Sequence, residues 1–375
     1  MNLDLNSVNK NTSSEKLKIV LQKEITTYLN YSLPLCSILW NENKKMWLYE
    51  HFTQLYCINN ENIWLDYLED LYFPSDVTDY SFVNSDEMKN IDDIILYIKE
   101  KISQKYYIFI YLDKFYLRNS NTNSYLKDHE PLFVFIYGYD DFSKQFNGIG
   151  FSNDSYFGFL NYSYENVSKA YKSCKLLYQS APIWVTLYTC TLIKVKEPEK
   201  TYSFHLSRFL NDLRNYLKST GDKSLLRPEI KVVIGEKATY GINVHDEIVN
   251  HLNNLLTGKH TMDYRQIHLI AEHKKLLLKK IKFIDSVFNF DKEFKSIIDK
   301  YSSVVDDFID IKFLYLNSVF TDESFKGIYG PLKDRSVINR IINTFINKKT
   351  DEEKVLTDIC DYLSTNIPND KMIIN

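Results

Sequence analysis

The chain has 375 residues, of which 44% are hydrophobic, 15% aromatic and 25% charged. That length exceeds what one core usually fills, and the apolar content is ample for folding, so two lobes are expected and global disorder is excluded. With 46 basic against 49 acidic residues and a formal net charge of −3, no broad positive field exists for a phosphate backbone, and no nucleic-acid partner is expected.

Residues 1–12 form a polar, Asn-rich lead without a basic start and apolar stretch. No later segment approaches the roughly 20 apolar residues of a membrane helix, so the expectation is a cytoplasmic protein without membrane contact. Cys36, Cys57, Cys174, Cys190 and Cys360 are odd in number, scattered and free of C-x-x-C spacing. Reduced thiols fit this better than a disulfide frame or a zinc site, and no metal or cofactor is expected.

In chain order, Ser13 or Ser14 can cap a helix carrying Leu17, Val20, Leu21, Ile25 and Tyr28, which should stop before Pro34. A second helix is predicted to begin shortly after Cys36 or just past Asn41, with Trp47, Leu48, Phe52, Leu55 and Tyr56 on its apolar face. Cys36 would then lie near a helix start. Helical pieces are expected at Ile63–Leu71 and Ile91–Ser103, around the turn-rich stretch Pro74–Asp86. The pattern then changes to strand-like runs at Tyr106–Leu112, Leu132–Tyr137, Gln145–Phe151, Tyr156–Leu160 and Trp184–Val195, with a helix at Glu165–Leu177. After a polar hinge at Glu197–Lys200, helical spacing recurs at Leu206–Leu217, Val244–Leu256, Tyr264–Phe288, Lys292–Ile311, Ser336–Asn347 and Glu352–Leu363. The reading is an α+β domain over 13–196 and a mostly helical lobe over 201–375.

The strand pair with LD-x-F-Y-L at Leu112–Leu117 and F-I-Y-G-Y-D-D at Phe135–Asp141 resembles the papain-fold proteins related to butirosin biosynthesis protein H. The amide-forming cysteine-protease homologue of closthioamide assembly is a relative of the same kind. Tyr240–Leu252 and Arg265–Ile284 share the family's general texture, and the resemblance spans roughly 33–284. It implies a papain-like core and acyl or aminoacyl transfer in natural-product (antibiotic) biosynthesis. In that chemistry a cysteine at a helix start attacks a carrier-bound thioester, a histidine takes its proton, and an Asp or Asn orients the imidazole. Cys36 is the cysteine whose expected place suits a nucleophile, because a helix N-terminus lowers a thiol pKa.

The base is where the pattern departs. The family's histidine lies six residues before the Gly of the G-Y pair, a position held here by Leu132. His129 is three residues earlier, about 10 Å along a regular strand and on its opposite face, and needs a bulge at Glu130–Pro131 to serve. Glu130 shares the face of Leu132 but is an unusual partner for a cysteine. Asp140 is the candidate orienter, although Asp140 and Asp141 also suit the capping of a turn. Asp113, closing its strand, must be paired, exposed or part of a site.

Other patterns carry less. His268 and His273 are five apart, which does not suit a helix-face zinc site, so His268, Glu272 and His273 read as a solvated face. No glycine-rich phosphate loop and no G-x-S-x-G elbow occurs. Two functions follow: a cysteine-dependent acyl or aminoacyl transferase using Cys36, His129 and Asp140, or an eroded papain-fold binding protein of a biosynthetic assembly, favoured by Leu132. Either has an acyl or peptidyl carrier protein as the expected partner. A symmetric homodimer is the default assembly.

Overall fold

The computed structural model describes residues 13–59, 63–69, 76–118, 125–152, 156–196, 202–222, 238–260, 262–319, 329–330, 335–368 and 371–374. The polar lead over 1–12 and the hinge over 197–200 lie outside them. The chain is mixed α+β, with antiparallel sheets and a helical C-terminal region. It divides into two compact units, and the division is not a single cut near 197. One unit comprises Met1–Gln22, Leu33–Trp40 and Tyr72–Glu197; the other comprises Lys23–Ser32, Asn41–Leu71 and Pro198–Asn375. Residues 41–71, expected in the N-terminal domain, thus belong with the helical half.

The first unit is built on an antiparallel sheet of β1 (Ser14–Lys16), β4 (Thr78–Val83), β5 (Tyr107–Asp113), β6 (Pro131–Asp140), β7 (Gln145–Phe151), β8 (Phe157–Ser163) and β9 (Cys190–Val195). The spatial order is β4-β9-β5-β6-β7-β8, and β1 also pairs with β6. The β5–β6 pairing runs from Ile108↔Ile136 to Asp113↔Pro131, whereas β1 pairs with Gly138–Asp140. The β6–β7 register shifts between Ile136 and Gly138. A Cβ at Gly138 would meet the Glu15 carbonyl at 2.8 Å, so the glycine of the G-Y-D turn lets β1 close on the sheet.

Of the helices α3 (Ser85–Lys89), α4 (Ile94–Ser103) and α5 (Tyr164–Leu177), the last two cover one face of this sheet. Ile94, Ile98, Ile102, Val167, Ala170 and Cys174 share a core with Ile108, Ile110, Leu112, Val134 and Ile136, the alternate residues of β5 and β6. Leu132 packs against that core opposite Leu112, so the position where the family pattern wants a histidine is a packing position here.

Several local expectations are overturned. Residues 17–28 are not helical: after β1 the chain is irregular, and the Leu17 N–H donates to the Tyr137 carbonyl at 2.9 Å. Helix α1 (Leu29–Ile38) does not stop before Pro34 but contains it. Leu33, Leu35, Cys36, Ile38 and Leu39 are all buried, and that burial outweighs the roughly 3 kcal/mol cost of an interior proline. Ile63–Leu71 is not a helix either; β3 (Ile63–Tyr67) pairs with β2 (Leu55–Asn59), because a short apolar run satisfies either period. The expected helix through Tyr56 ends early, as α2 (Lys45–Glu50), at the left-handed Phe52 with φ 61°. Trp184–Val195 splits into a helical turn at Ile183–Leu187 and β9.

The second unit joins β2, β3 and the strand Ala238–Tyr240 to the helices Leu206–Leu217, Val244–Leu256, Tyr264–Phe288, Lys292–Val319 and Arg335–Asn366. The two helices expected at 336–347 and 352–363 are one continuous helix. No described helix is long and apolar enough to cross a membrane.

Candidate functional site

The structure brings together two residues that the sequence singles out separately, Asp113 and His129. Asp113 ends β5, and its carboxylate is fully buried. His129 stands two residues before β6, outside the strand, so the question of which strand face it occupies does not arise. Its Nδ1 lies 2.6 Å from Asp113 Oδ2. A carboxylate only accepts, so this contact puts a proton on Nδ1, and in the neutral imidazole Nε2 is then the acceptor.

Three further donors satisfy the same carboxylate. Ser173 of α5 donates its hydroxyl to Oδ2 at 2.5 Å, while the Phe115 and Glu130 N–H groups donate to Oδ1 at 3.1 and 3.3 Å. Four donors compensate the desolvation of a buried charge, which is why Asp113 can sit at a sheet end without exposure. The imidazole is stacked on Phe115, with centroids 4.1 Å apart and an interplanar angle of 12°. Its side chain is 47% exposed. Lys114 and Glu130 form an ion pair beside it. The result is a histidine fixed in tautomer and orientation with one nitrogen available to solvent, the geometry of a general base and its orienter.

Cys36 does not join this pair. It lies in the last turn of α1, not near a helix start, so the helix dipole there disfavours a thiolate. The side chain is fully buried, and burial pushes its thiol up to about 12. Its carbonyl accepts from the Val20 N–H at 3.1 Å, while the neighbouring Lys18 carbonyl accepts from the Tyr107 hydroxyl. Cys36 is therefore anchored toward the Tyr107 end of β5, and His129 at the Asp113 end, six residues or roughly 20 Å of strand away.

Asp140 is also elsewhere, at the far end of β6 from His129, and does not orient it. Its Oδ1 accepts from the Phe142 and Ser143 N–H groups at 2.9 and 3.4 Å, capping its own turn, and the Ser143 and Phe142 hydrogen bonds hold its carboxyl below the usual range. Asp141 accepts from Lys99, Tyr164 and Ser13, fastening β1 and α4 to the sheet. The carboxylate beside His129 is that of Asp113 and not of Asp140, and a pairing of positions sixteen apart is invisible to motif spacing.

The second unit holds buried polar groups that the sequence did not announce. Glu272 and His273 are buried rather than on a solvated face. Glu272 accepts from the Thr26 and Thr27 N–H groups at 2.7 and 3.1 Å, from both threonine hydroxyls at 2.5 Å, and is paired with His268 at 3.0 Å. Lys274 and Glu352, both without exposed side-chain surface, form an ion pair at 2.7 Å, and Glu352 is 3.3 Å from His245. Glu50 accepts from the His205 N–H at 2.8 Å and pairs with Arg208, which also approaches Glu69. Among the described residues no group of three or more His, Cys, Asp or Glu side chains is arranged to hold a metal ion. Comparisons with protein-family models, with curated proteins and with solved structures found no match.

Proposed function

We propose that the chain is an acyl or aminoacyl transferase that works without a protein nucleophile, with His129 as general base and Asp113 as its orienter. The observation that carries this reading is the 2.6 Å Asp113–His129 contact with a half-exposed imidazole. The buried Cys36 thiol argues against the covalent route, whereas the family resemblance of the β5–β6 pair supports carrier-bound thioesters as substrates. The acceptor's own amine attacks the thioester carbonyl, and a C–N bond forms as Nε2 of His129 takes the amine proton. Collapse breaks the C–S bond, and the proton passes to the departing carrier thiolate. Placement in the cytoplasm belongs to the same proposal and fits five free, buried cysteines.

The test uses acyl-N-acetylcysteamine thioesters with a panel of amines and mass-spectrometric detection of amide. Activity lost in His129→Ala and kept in Cys36→Ser is the expected result; the reverse pattern overturns the proposal. The second reading, an eroded papain-fold binding protein of a biosynthetic assembly, is favoured by Leu132 packed against the core and by the unactivated Cys36. Carrier-protein binding by calorimetry with no amide formed by the wild type would select it.

A further inference from the structure

Strand β8 is the last strand of its sheet, and among the described residues no further strand pairs with its outer rim. The Ser152 N–H donates to the Tyr156 carbonyl at 2.9 Å, and the Tyr164 N–H donates to the Lys144 carbonyl at 3.0 Å. These bonds set the phase of the β7–β8 ladder: even-numbered residues of β8 exchange bonds with β7, so the N–H and C=O of Phe157 and Phe159 point away from it. Among the described residues no backbone or side-chain group bonds to Phe157 or Phe159 on that rim. Sheet edges are ordinarily guarded by charge, proline or a bulge. β4, at the opposite edge, carries Asp79 with its Lys196 ion pair, whereas the seven residues of β8, FGFLNYS, include no charged side chain and no proline.

We infer that β8 pairs with β8 of a second copy of this chain, antiparallel about a two-fold axis through Gly158. In that register Phe157 of each copy faces Phe159 of the other, and the four outward N–H groups meet four outward carbonyls. Gly158 faces its symmetry mate in the close, non-hydrogen-bonded position, where Cα atoms lie about 4.5 Å apart. A Cβ at Gly158 would meet nothing within 4 Å, so the sheet face over the axis is open among the described residues. On the other face of the rim, Phe159 is 58% exposed, Phe157 is half-buried against Phe151 with centroids 5.3 Å apart, and the pairing covers both rings from both copies. The neutral strand meets no repulsion on turning into its own copy, which favours a second copy over a charged peptide. The strand pair alone covers less than the roughly 1,200–2,000 Å² of a stable interface, so dissociation in the micromolar range is expected.

Sedimentation velocity and light scattering over a concentration series test this with the full chain. Wild type should rise reversibly from monomer to dimer mass and stop there. Phe159→Lys, which places two ammonium groups across the axis, should remain monomeric. Phe157→Pro, which removes a donor that β8 does not use within its own sheet, should do the same, each with unchanged far-UV circular dichroism. Phe142→Lys, at a side chain 87% exposed in the β6–β7 turn, should dimerise like wild type. A wild type that stays monomeric, mass growing past the dimer, dimers persisting in both β8 variants, or loss of dimer in Phe142→Lys would each overturn the inference.

Discussion

Replacing Glu352 with Gln isolates the Lys274 ammonium in the interior of the second unit. Lys274 is fully buried beneath the rings of Tyr216 and Phe308, donates to the Tyr216 hydroxyl at 2.6 Å, and has Glu352 as its only ion-pair partner among the described residues. Breaking one side of such a pair costs about 3–5 kcal/mol. A ceiling comes from chemistry: an ordinary lysine sheds its proton at pH 7 for about 5 kcal/mol, so the folded variant never has to tolerate more than that. Burial already pulls Lys274 below the usual lysine range, with Glu352 opposing. In the variant the folded chain binds fewer protons than the unfolded chain, so stability should climb as pH rises from 7 towards 10. For a unit of this size the loss corresponds to about 6–20 °C in Tm. Urea unfolding followed by circular dichroism, repeated from pH 7 to 10, measures both quantities. The double variant Lys274→Met with Glu352→Leu should recover most of the loss, because it leaves no orphaned charge. A single variant costing under about 1 kcal/mol, or a double variant no better than the single, would refute the reasoning.

Three other outcomes follow from the geometry. Asp113→Asn should lower amide formation about 10²–10⁴-fold while preserving the fold, since Asn no longer fixes the productive tautomer of His129; turnover measured beside a thermal melt separates the two. At Glu272, burial raises the carboxyl pKa, but the His268 and threonine hydrogen bonds win and hold it below 4.5. Its stabilisation is therefore present above pH 4.5 and lost as pH falls through the folded value, so Glu272→Gln should cost about 2 kcal/mol at pH 7 and progressively less in acid. Gly241→Ala meets both a left-handed backbone at φ +58° and the Tyr216 carbonyl at 2.1 Å, whereas Gly258→Ala, at φ +74°, meets open space. The first should cost more than the second, which itself is worth about 1–2 kcal/mol, and equal melting temperatures would remove the clash argument.

The parts of the fold legible in the sequence are those where one period dominates. The aliphatic and aromatic runs of β5, β6 and β7 and the long helices of the C-terminal half declare themselves because burial repeats at 2.0 or 3.6 residues. Residues 17–28 do not, because their apolar spacing mimics a helix while their backbone bonds go to partners distant in sequence, Tyr137 and Glu272 among them. Pro34 misleads for the opposite reason: a strong local rule yields to the burial of its neighbours. Asp113 and His129 each stand out as chemistry-bearing residues, but their pairing joins positions sixteen apart at the ends of two strands, which no spacing rule encodes. Lys274 and Glu352 are still further apart and lie on helices whose periodicity advertises only their apolar faces.

The interleaving of the two units has a consequence for how the chain is made. Strands β2 and β3 leave the ribosome early, yet the helix Tyr264–Phe288 against which β3 packs and the helix Arg335–Asn366 that supplies Glu352 come late. At about 5–20 residues per second the early strands wait on the order of 15–60 s for their partners. Throughout that interval the first unit can complete its own sheet. The segment 41–71 is then a nascent apolar stretch in need of protection, and a fragment ending at 197 would carry it permanently without the helices that bury it.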